Sequence, residues 1–206
     1  GGGQLAEYGF AATKVIAVDP DAQALAKLAQ RVTALGLDAR FELVEAGKPY
    51  TVIVDSAHTP DGLENVLKTA RCITKGRLWV VFGCGGDRDN KKRPIMGEVC
   101  LRLADDLVVT SDNPRTEDPE KIIDQIMVAL VKVPAGKSVT RISDRRQAIH
   151  YALGRAAAED VVVLAGKGHE NYQILKDKTI HFDDKEVLKD IFDNEAKDNI
   201  LWLCLE

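Results

Sequence analysis

Short apolar runs alternate with helix-like segments along most of the chain, and this alternation limits the folds available to it. The apolar runs occupy residues 51–55, 77–83, 106–110 and 160–166. Segments with helical periodicity lie between or beside them, at residues 61–73, 94–105, 118–130 and 144–158. Strands that are apolar throughout are typical of a parallel sheet covered on both faces. We therefore predict an α/β fold, a Rossmann-like three-layer sandwich with a mostly parallel sheet.

The N-terminal part of the sequence predicts further elements of the same kind. Residues 14–19 (KVIAVD) have the pattern of a buried strand, and residues 21–37 that of a helix. Because strand 14–19 is too apolar to stand alone, we expect it to join the main sheet. Two apolar runs on either side of Gly47 predict a hairpin over residues 41–55.

The C-terminal part predicts a last helix and a short tail. The helix covers about residues 184–193. We accordingly predict one domain over residues 1–192, followed by a tail of residues 193–206.

Composition excludes several classes of function. The chain has 206 residues and a net charge of −4, which gives no basic face for nucleic acid or an anionic membrane. No apolar run is long enough to span a bilayer, and the opening residues lack the pattern of a secretory signal. Four cysteines without a CxxC pair are typical of reduced core thiols, and we expect a cytoplasmic protein. The four histidines lack paired spacing, so no metal site is predicted.

Polar residues cluster where four of the predicted strands end. The stretches are VIVDSAHTPDG, VVFGCGGDRDNKKRP, VVTSDNPRTEDP and VVVLAGKGHENYQ. In parallel α/β sheets, ligands bind beyond the carboxyl ends of the strands. The four loops therefore predict a binding site on one rim of the sheet.

The charges in these loops indicate a zwitterionic ligand. Pro114 cannot continue a sheet ladder, so the chain turns here and presents Arg115 at a strand end. Arg115, with Arg88 in the glycine-rich loop, can bind a carboxylate through parallel hydrogen bonds. Asp112 and Glu170 can bind an ammonium group. The alternative is a surface arginine that pairs with the acidic residues just after it, Glu117 or Asp118.

Residues 40–192 resemble the C-terminal domain of the Mur ligases, and within that family the ligases that add meso-diaminopimelate. The stretches that carry the resemblance are RFELVEAGKPYTVIVDSAHTPDGL, GCGGDRDNKKRPIMG, TSDNPRTEDP and LAGKGHENYQ. The resemblance implies that Asn113 and Arg115 recognise the amino acid, with the arginine on its distal carboxylate. It implies further contacts from Arg88, Gly166 and Glu170, and it places His58 near a nucleotide.

The resemblance also implies a reaction and a division of labour. In this family, ATP phosphorylates a substrate carboxylate, and the amine of the incoming amino acid attacks the acyl phosphate. ATP and magnesium are held by the P-loop of a central domain, and the C-terminal domain presents the amino acid. The sequence contains no P-loop pattern, so we predict no catalytic residue, no cofactor and no ligation by this chain alone. Ser56 stands where the family usually has a tyrosine near the nucleotide.

Residues 1–39 instead resemble a fragment of an S-adenosylmethionine-dependent methyltransferase. A glycine loop, a strand that ends in an acid and a helix occur there in the order of that family. Gly1 and Gly3 would match its cofactor loop, and Asp19 the acid that contacts the ribose. The two resemblances together suggest a chimera. Two alternatives thus stay open beside a ligase domain: a chimeric protein with no native function, and a methyltransferase-like cofactor binder.

Overall fold

A five-stranded parallel sheet forms the centre of the structure. The computed structural model describes the backbone of residues 15–17, 41–43 and 50–203, and the side chains of residues 50–193. In chain order the strands are β1 (Val15–Ala17), β2 (Phe41–Leu43), β3 (Thr51–Asp55), β4 (Leu78–Phe82), β5 (Asp106–Val109), β6 (Ser138–Arg141), β7 (Val161–Ala165), β8 (Tyr172–Ile174) and β9 (Thr179–His181). The helices are α1 (Pro60–Ile73), α2 (Lys92–Leu103), α3 (Pro119–Met127), α4 (Arg145–Leu153) and α5 (Asp184–Leu203). A 3-10 turn, Val128–Leu130, follows α3.

The order of strands in the main sheet is β3-β7-β4-β5-β6, and all neighbours pair in parallel. Every residue of β4 is buried, because helices cover both faces of the sheet. Alternate side chains point to opposite faces, so Val80 and Phe82 join one apolar core while Trp79 and Val81 join the other. Helices α1, α2 and α3 pack on the first face, and α4 and α5 on the second. The predicted three-layer α/β fold is confirmed.

Helix α1 shows how the local sequence sets a boundary. Thr59 caps its N-terminus by accepting a hydrogen bond from the Gly62 N–H at 3.1 Å, and Pro60 occupies the first turn. Its buried residues recur at helical spacing on the side that faces the sheet: Leu63, Val66, Leu67 and Ala70. Burying each large apolar side chain contributes about 1.5–3 kcal/mol.

Two predictions for the N-terminal part are wrong. Strand β1 lies beside β3, the edge strand of the main sheet, but among the described residues it pairs only with β2, in parallel, in a two-stranded sheet. The predicted hairpin over 41–55 is not formed among the described residues, because β2 pairs with β1 and β3 pairs with β7. Two apolar runs on either side of a glycine are compatible with a hairpin or with two strands that have other partners. Only the observed pairing of the strands distinguishes these arrangements. The predicted helix 21–37 lies outside the described residues.

The C-terminal part also differs from its prediction in detail. Helix α5 continues to Leu203, well past residue 193, because its sequence contains neither glycine nor proline to end it. A small antiparallel hairpin, β8–β9, was not predicted, since strands of three residues are too short to show periodicity. Within the part of the chain described, no helix is both long and apolar enough to cross a membrane.

Candidate functional site

Three loops meet at the carboxyl edge of the sheet, because β7, β4 and β5 are adjacent and parallel. We call them the glycine loop (residues 83–89, after β4), the Asp-Asn-Pro-Arg loop (residues 112–115, after β5) and the lysine loop (residues 166–170, after β7). The loop after β3, with His58, lies beside β7 at the same edge. The rim that the sequence predicted thus exists as a continuous row of loops.

The Asp-Asn-Pro-Arg loop crosses directly over the glycine loop. The Gly86 N–H donates to the carbonyl oxygen of Asn113 at 2.9 Å. A Cβ atom on Gly86 would lie 1.8 Å from the carbonyl oxygen of Pro114, so only glycine allows this approach. Pro114 lies outside the helices and strands, as we predicted because proline cannot continue a sheet ladder.

Two arginine side chains flank Gly85 at this crossing. Arg115 has a left-handed backbone, with φ of 52°, which non-glycine residues rarely adopt. Its N–H donates to the Ile174 carbonyl at 3.0 Å, and its Nη1 donates to the Gly86 carbonyl at 2.9 Å. A Cβ on Gly85 would lie 2.9 Å from that Nη1 and 3.8 Å from Cγ of the exposed Arg88. Within residues 50–193 no other hydrogen bond of the Arg115 guanidinium is formed, and a guanidinium can bind a carboxylate through parallel hydrogen bonds.

Glu117 pairs with Arg93 and Asp118 accepts the Glu120 N–H, and among the described side chains neither acid forms the alternative ion pair with Arg115. Arg93 is fully buried, and its two terminal nitrogens reach the two oxygens of Glu117 at 2.9 and 2.8 Å. The hydrogen bonds from Arg93 lower the pKa of Glu117 to about 2. Glu117 also accepts the N–H of Asp87 at 2.6 Å, and Asp87 accepts the Thr116 hydroxyl at 2.6 Å. This cluster fixes the glycine loop against the Asp-Asn-Pro-Arg loop.

The β8–β9 hairpin supports the Asp-Asn-Pro-Arg loop from its other side. The Ile174 N–H donates to Oδ1 of Asn113 at 3.0 Å, and Nε2 of Gln173 donates to the carbonyl oxygen of Asp112 at 2.6 Å. The loop is therefore held between two elements, and its side chains have fixed directions.

The acidic residues of the site gather around Asn113. Its Nδ2 donates to Oε2 of Glu170 at 2.9 Å. The side chain of Glu170 is 28% exposed, whereas Asp112 is buried and its Oδ1 atom is inaccessible to solvent. Gly166, with φ of 114°, passes so close that a Cβ there would lie 3.6 Å from Oδ2 of Asp112. The structure thus brings Asp112, Asn113, Gly166 and Glu170 together.

Lys167 is a member of this cluster that the sequence did not assign to the site. Its side chain is completely buried, and its Nζ donates to Oδ1 of Asn113 at 3.2 Å and to the carbonyl oxygen of Tyr172 at 2.8 Å. The same nitrogen lies 3.4 Å from Oδ1 of Asp112 and 3.6 Å from Oε2 of Glu170. In the sequence, the position of Lys167 between Gly166 and Gly168 could have indicated a role in the site.

A second buried cation supports the end of β7. Arg145 and Asp184 are both inaccessible to solvent and lie 2.6 Å apart, and Nη2 of Arg145 also donates to the Ala165 carbonyl at 3.1 Å. Burial alone would lower the pKa of Arg145, but the adjacent Asp184 carboxylate more than offsets this and raises it. The two charges balance each other beneath the lysine loop.

His58 is separate from the acidic cluster in its contacts. Its ring is exposed, with Nδ1 2.8 Å from the Ser56 carbonyl oxygen, and its own carbonyl accepts from Nζ of Lys92 at 2.8 Å. Ser56 packs under the lysine loop, where a Cβ on Gly168 would lie 2.7 Å from Cβ of Ser56. The residues predicted to contact S-adenosylmethionine, Gly1, Gly3 and Asp19, lie outside the described residues.

A cavity of about 650 Å³ lies on another side of the Asp-Asn-Pro-Arg loop. Pro114, Glu117 and Lys176 are part of its lining, whereas Arg88, Asn113 and Glu170 are not. Of the predicted site residues, Arg88 is exposed, Arg115 and Glu170 are half-buried, and Asp112 and Asn113 are buried.

A comparison with protein families matches residues 39–168 to the Mur ligase, glutamate ligase domain. The UDP-N-acetylmuramoyl-L-alanyl-D-glutamate–2,6-diaminopimelate ligase of Bacillus cereus is 52% identical over 155 residues, which are 75% of this chain and 31% of that protein. The ligase of the same name from Clostridium botulinum is 57% identical over 142 residues, 69% of this chain and 29% of that protein. The chain thus spans about a third of the length of these relatives.

A solved structure of a ligase of that name superimposes with a TM-score of 0.68 at 44% identity. The match covers 72% of this chain and 30% of the other. The family match begins at residue 39, so the methyltransferase resemblance of residues 1–39, and the chimera it suggests, stay predictions. The family match over residues 39–168, the relatives above 50% identity and the superposition agree, and the chain belongs to the Mur ligase family.

Proposed function

We propose that this domain binds meso-diaminopimelate and presents its amine to an ATP-dependent ligase reaction of peptidoglycan precursor synthesis. The observation that carries the proposal is the pairing of opposite charges on one rim: Arg115 and Arg88 beside Gly85, and Asp112 and Glu170 around Asn113. A ligand with a carboxylate and an ammonium group at one end is complementary to this arrangement. The relatives at 52% and 57% identity are named as 2,6-diaminopimelate ligases, which favours diaminopimelate as the ligand.

The task of the domain in such a reaction is positioning. Holding the distal end of the amino acid on the rim aims its other amine at an acyl phosphate, and correct orientation is a large part of rate enhancement in such reactions. ATP and magnesium would be bound by a central domain with a P-loop, with His58 of this domain near the nucleotide. The expected compartment is the cytoplasm, where the nucleotide-linked precursor and ATP are available.

The test is a calorimetric titration of the purified chain with meso-diaminopimelate and, separately, with L-lysine. Arg115→Ala should weaken diaminopimelate binding by about 1.5–3 kcal/mol, the usual contribution of hydrogen bonds to a charged group. Lysine lacks the distal carboxylate, so its weaker binding should hardly change in the variant. Arg102→Ala is a matched control, because Arg102 lies on α2 at the opposite edge of the sheet and pairs with Glu64.

Equal diaminopimelate binding by wild type and Arg115→Ala would refute the assignment, as would a preference for lysine. Titration with S-adenosylmethionine distinguishes the methyltransferase-like alternative, which requires binding of that cofactor instead. A protein that binds neither ligand would favour a domain without native function. Release of ADP by this chain alone, dependent on both ligase substrates, would contradict the prediction that it does not catalyse ligation.

A further inference from the structure

Lys167 has a position that the proposed function does not by itself explain. It is the cation of the acidic cluster, and no part of its side chain reaches solvent. Glu170 is partly exposed beside it while Asp112 is buried, so a ligand that arrives from solvent meets the Glu170 carboxylate before Lys167. Lys167 is therefore placed to act on the ligand through the charge of these carboxylates.

The position of Lys167 matters because it sets the net charge of the acidic cluster. Asp112 and Glu170 together carry two negative charges, and Lys167, at 3.4 and 3.6 Å from them, supplies one positive charge. The nearby Arg145 and Asp184 are a closed pair and add no net charge. The cluster therefore holds one net negative charge, which matches a single ammonium group.

We propose that Lys167 is a positioning residue that determines specificity, by limiting the acidic cluster to one net negative charge. The inference rests on the proposed function. The distal end of diaminopimelate carries an ammonium group and a carboxylate, whereas that of L-lysine carries an ammonium group only. A more negative cluster attracts both ammonium groups but repels the diaminopimelate carboxylate. Lys167 thus favours diaminopimelate over lysine without touching either.

The test compares the ratio of the two affinities, diaminopimelate over lysine, between wild type and Lys167→Met. Methionine has a similar length and no charge, and the site already borders the rings of Tyr172 and Phe182, whose centroids lie 6.0 and 5.9 Å from Nζ. The ratio should fall by about tenfold or more, the scale of an uncompensated like charge near a binding site. Lys178→Met, in the exposed turn of the same hairpin, should leave the ratio unchanged.

A second variant changes the net charge of the cluster in the opposite direction. It tests the proposal even if Lys167→Met does not fold. Glu170→Gln reduces the cluster from one net negative charge to none. Both ligands should bind more weakly, but lysine should lose more because it has no carboxylate for Arg115 to hold. The ratio should therefore rise in Glu170→Gln and fall in Lys167→Met.

The outcomes separate the two proposals. If wild type binds diaminopimelate but folded Lys167→Met keeps the wild-type ratio, the role of Lys167 is refuted and the proposed function stands. If Glu170→Gln lowers the ratio, the charge argument is refuted in the same way. If wild type does not bind diaminopimelate, the proposed function fails, and the inference fails with it.

Discussion

Glu117→Gln is a sharp test of how the site is assembled, because Glu117 is the counter-charge of a buried guanidinium. Arg93 is fully buried, and its terminal nitrogens contact both oxygens of Glu117. Glutamine keeps the shape of the side chain and one acceptor oxygen but removes the negative charge. Arg93 would retain Gln125 and the Gly85 carbonyl, at 2.8 and 3.1 Å, and neither carries a charge.

The size of the effect follows from the pKa of Glu117. Hydrogen bonds from Arg93 lower it from 4.5 to about 2, although burial alone would raise it, and this difference corresponds to at most roughly 3.4 kcal/mol. The Glu117 side chain is 33% exposed, so solvent screens part of this interaction. We therefore expect Glu117→Gln to lower the free energy of unfolding by about 2 kcal/mol at pH 7.

The pH dependence has a definite sign. Because the folded protein holds the pKa of Glu117 below its unfolded value, the stabilisation is present above pH 4.5 and is lost as the pH falls toward 2. The stability difference between wild type and Glu117→Gln should accordingly be full at pH 7 and shrink between pH 4.5 and 2.

The assay is urea unfolding followed by circular dichroism, at pH 7 and at pH 3. Glu98→Gln is the control, since Glu98 is exposed on α2 and the side chains described include no partner for it. It should change the free energy of unfolding by less than about 0.5 kcal/mol. A difference for Glu117→Gln that is equally small, or that is the same at both pH values, would refute the argument.

The remaining predictions concern other buried groups. Asp184→Asn should cost about 3–5 kcal/mol of stability, because it leaves the Arg145 guanidinium buried without a counter-charge; unchanged urea unfolding would contradict this. Burial raises the pKa of Cys84 to about 12 and that of Cys100 well above its usual value, so at pH 8 both should resist iodoacetamide in the folded protein. Mass spectrometry should find the exposed Cys72 alkylated before Cys84 and Cys100, and rapid native labelling of Cys84 would show that its burial is wrong.

Much of the candidate site could be predicted from sequence because its residues follow strands that are recognisable locally. The turn at Pro114 and the rim position of Arg115 depend on the backbone chemistry of proline and on the end of β5. The resemblance of the DNPR and GKGHE stretches to a known family then added what the residues bind. Whether Arg88, Asn113 and Glu170 contribute to one ligand site stays a prediction until binding is measured.

What the sequence by itself determined is the class of fold, since continuous apolar strands must be buried on both faces by intervening helices. Only the tertiary structure decided which strands are neighbours. The order β3-β7-β4-β5-β6 inserts β7 between β3 and β4, and this insertion brings the lysine loop to the Asp-Asn-Pro-Arg loop. Pairing between strands distant in the chain depends on packing and hydrogen bonds summed over the whole sheet, and no local pattern encodes that sum. For the same reason Lys167, flanked by glycines in a loop, became a fully buried cation.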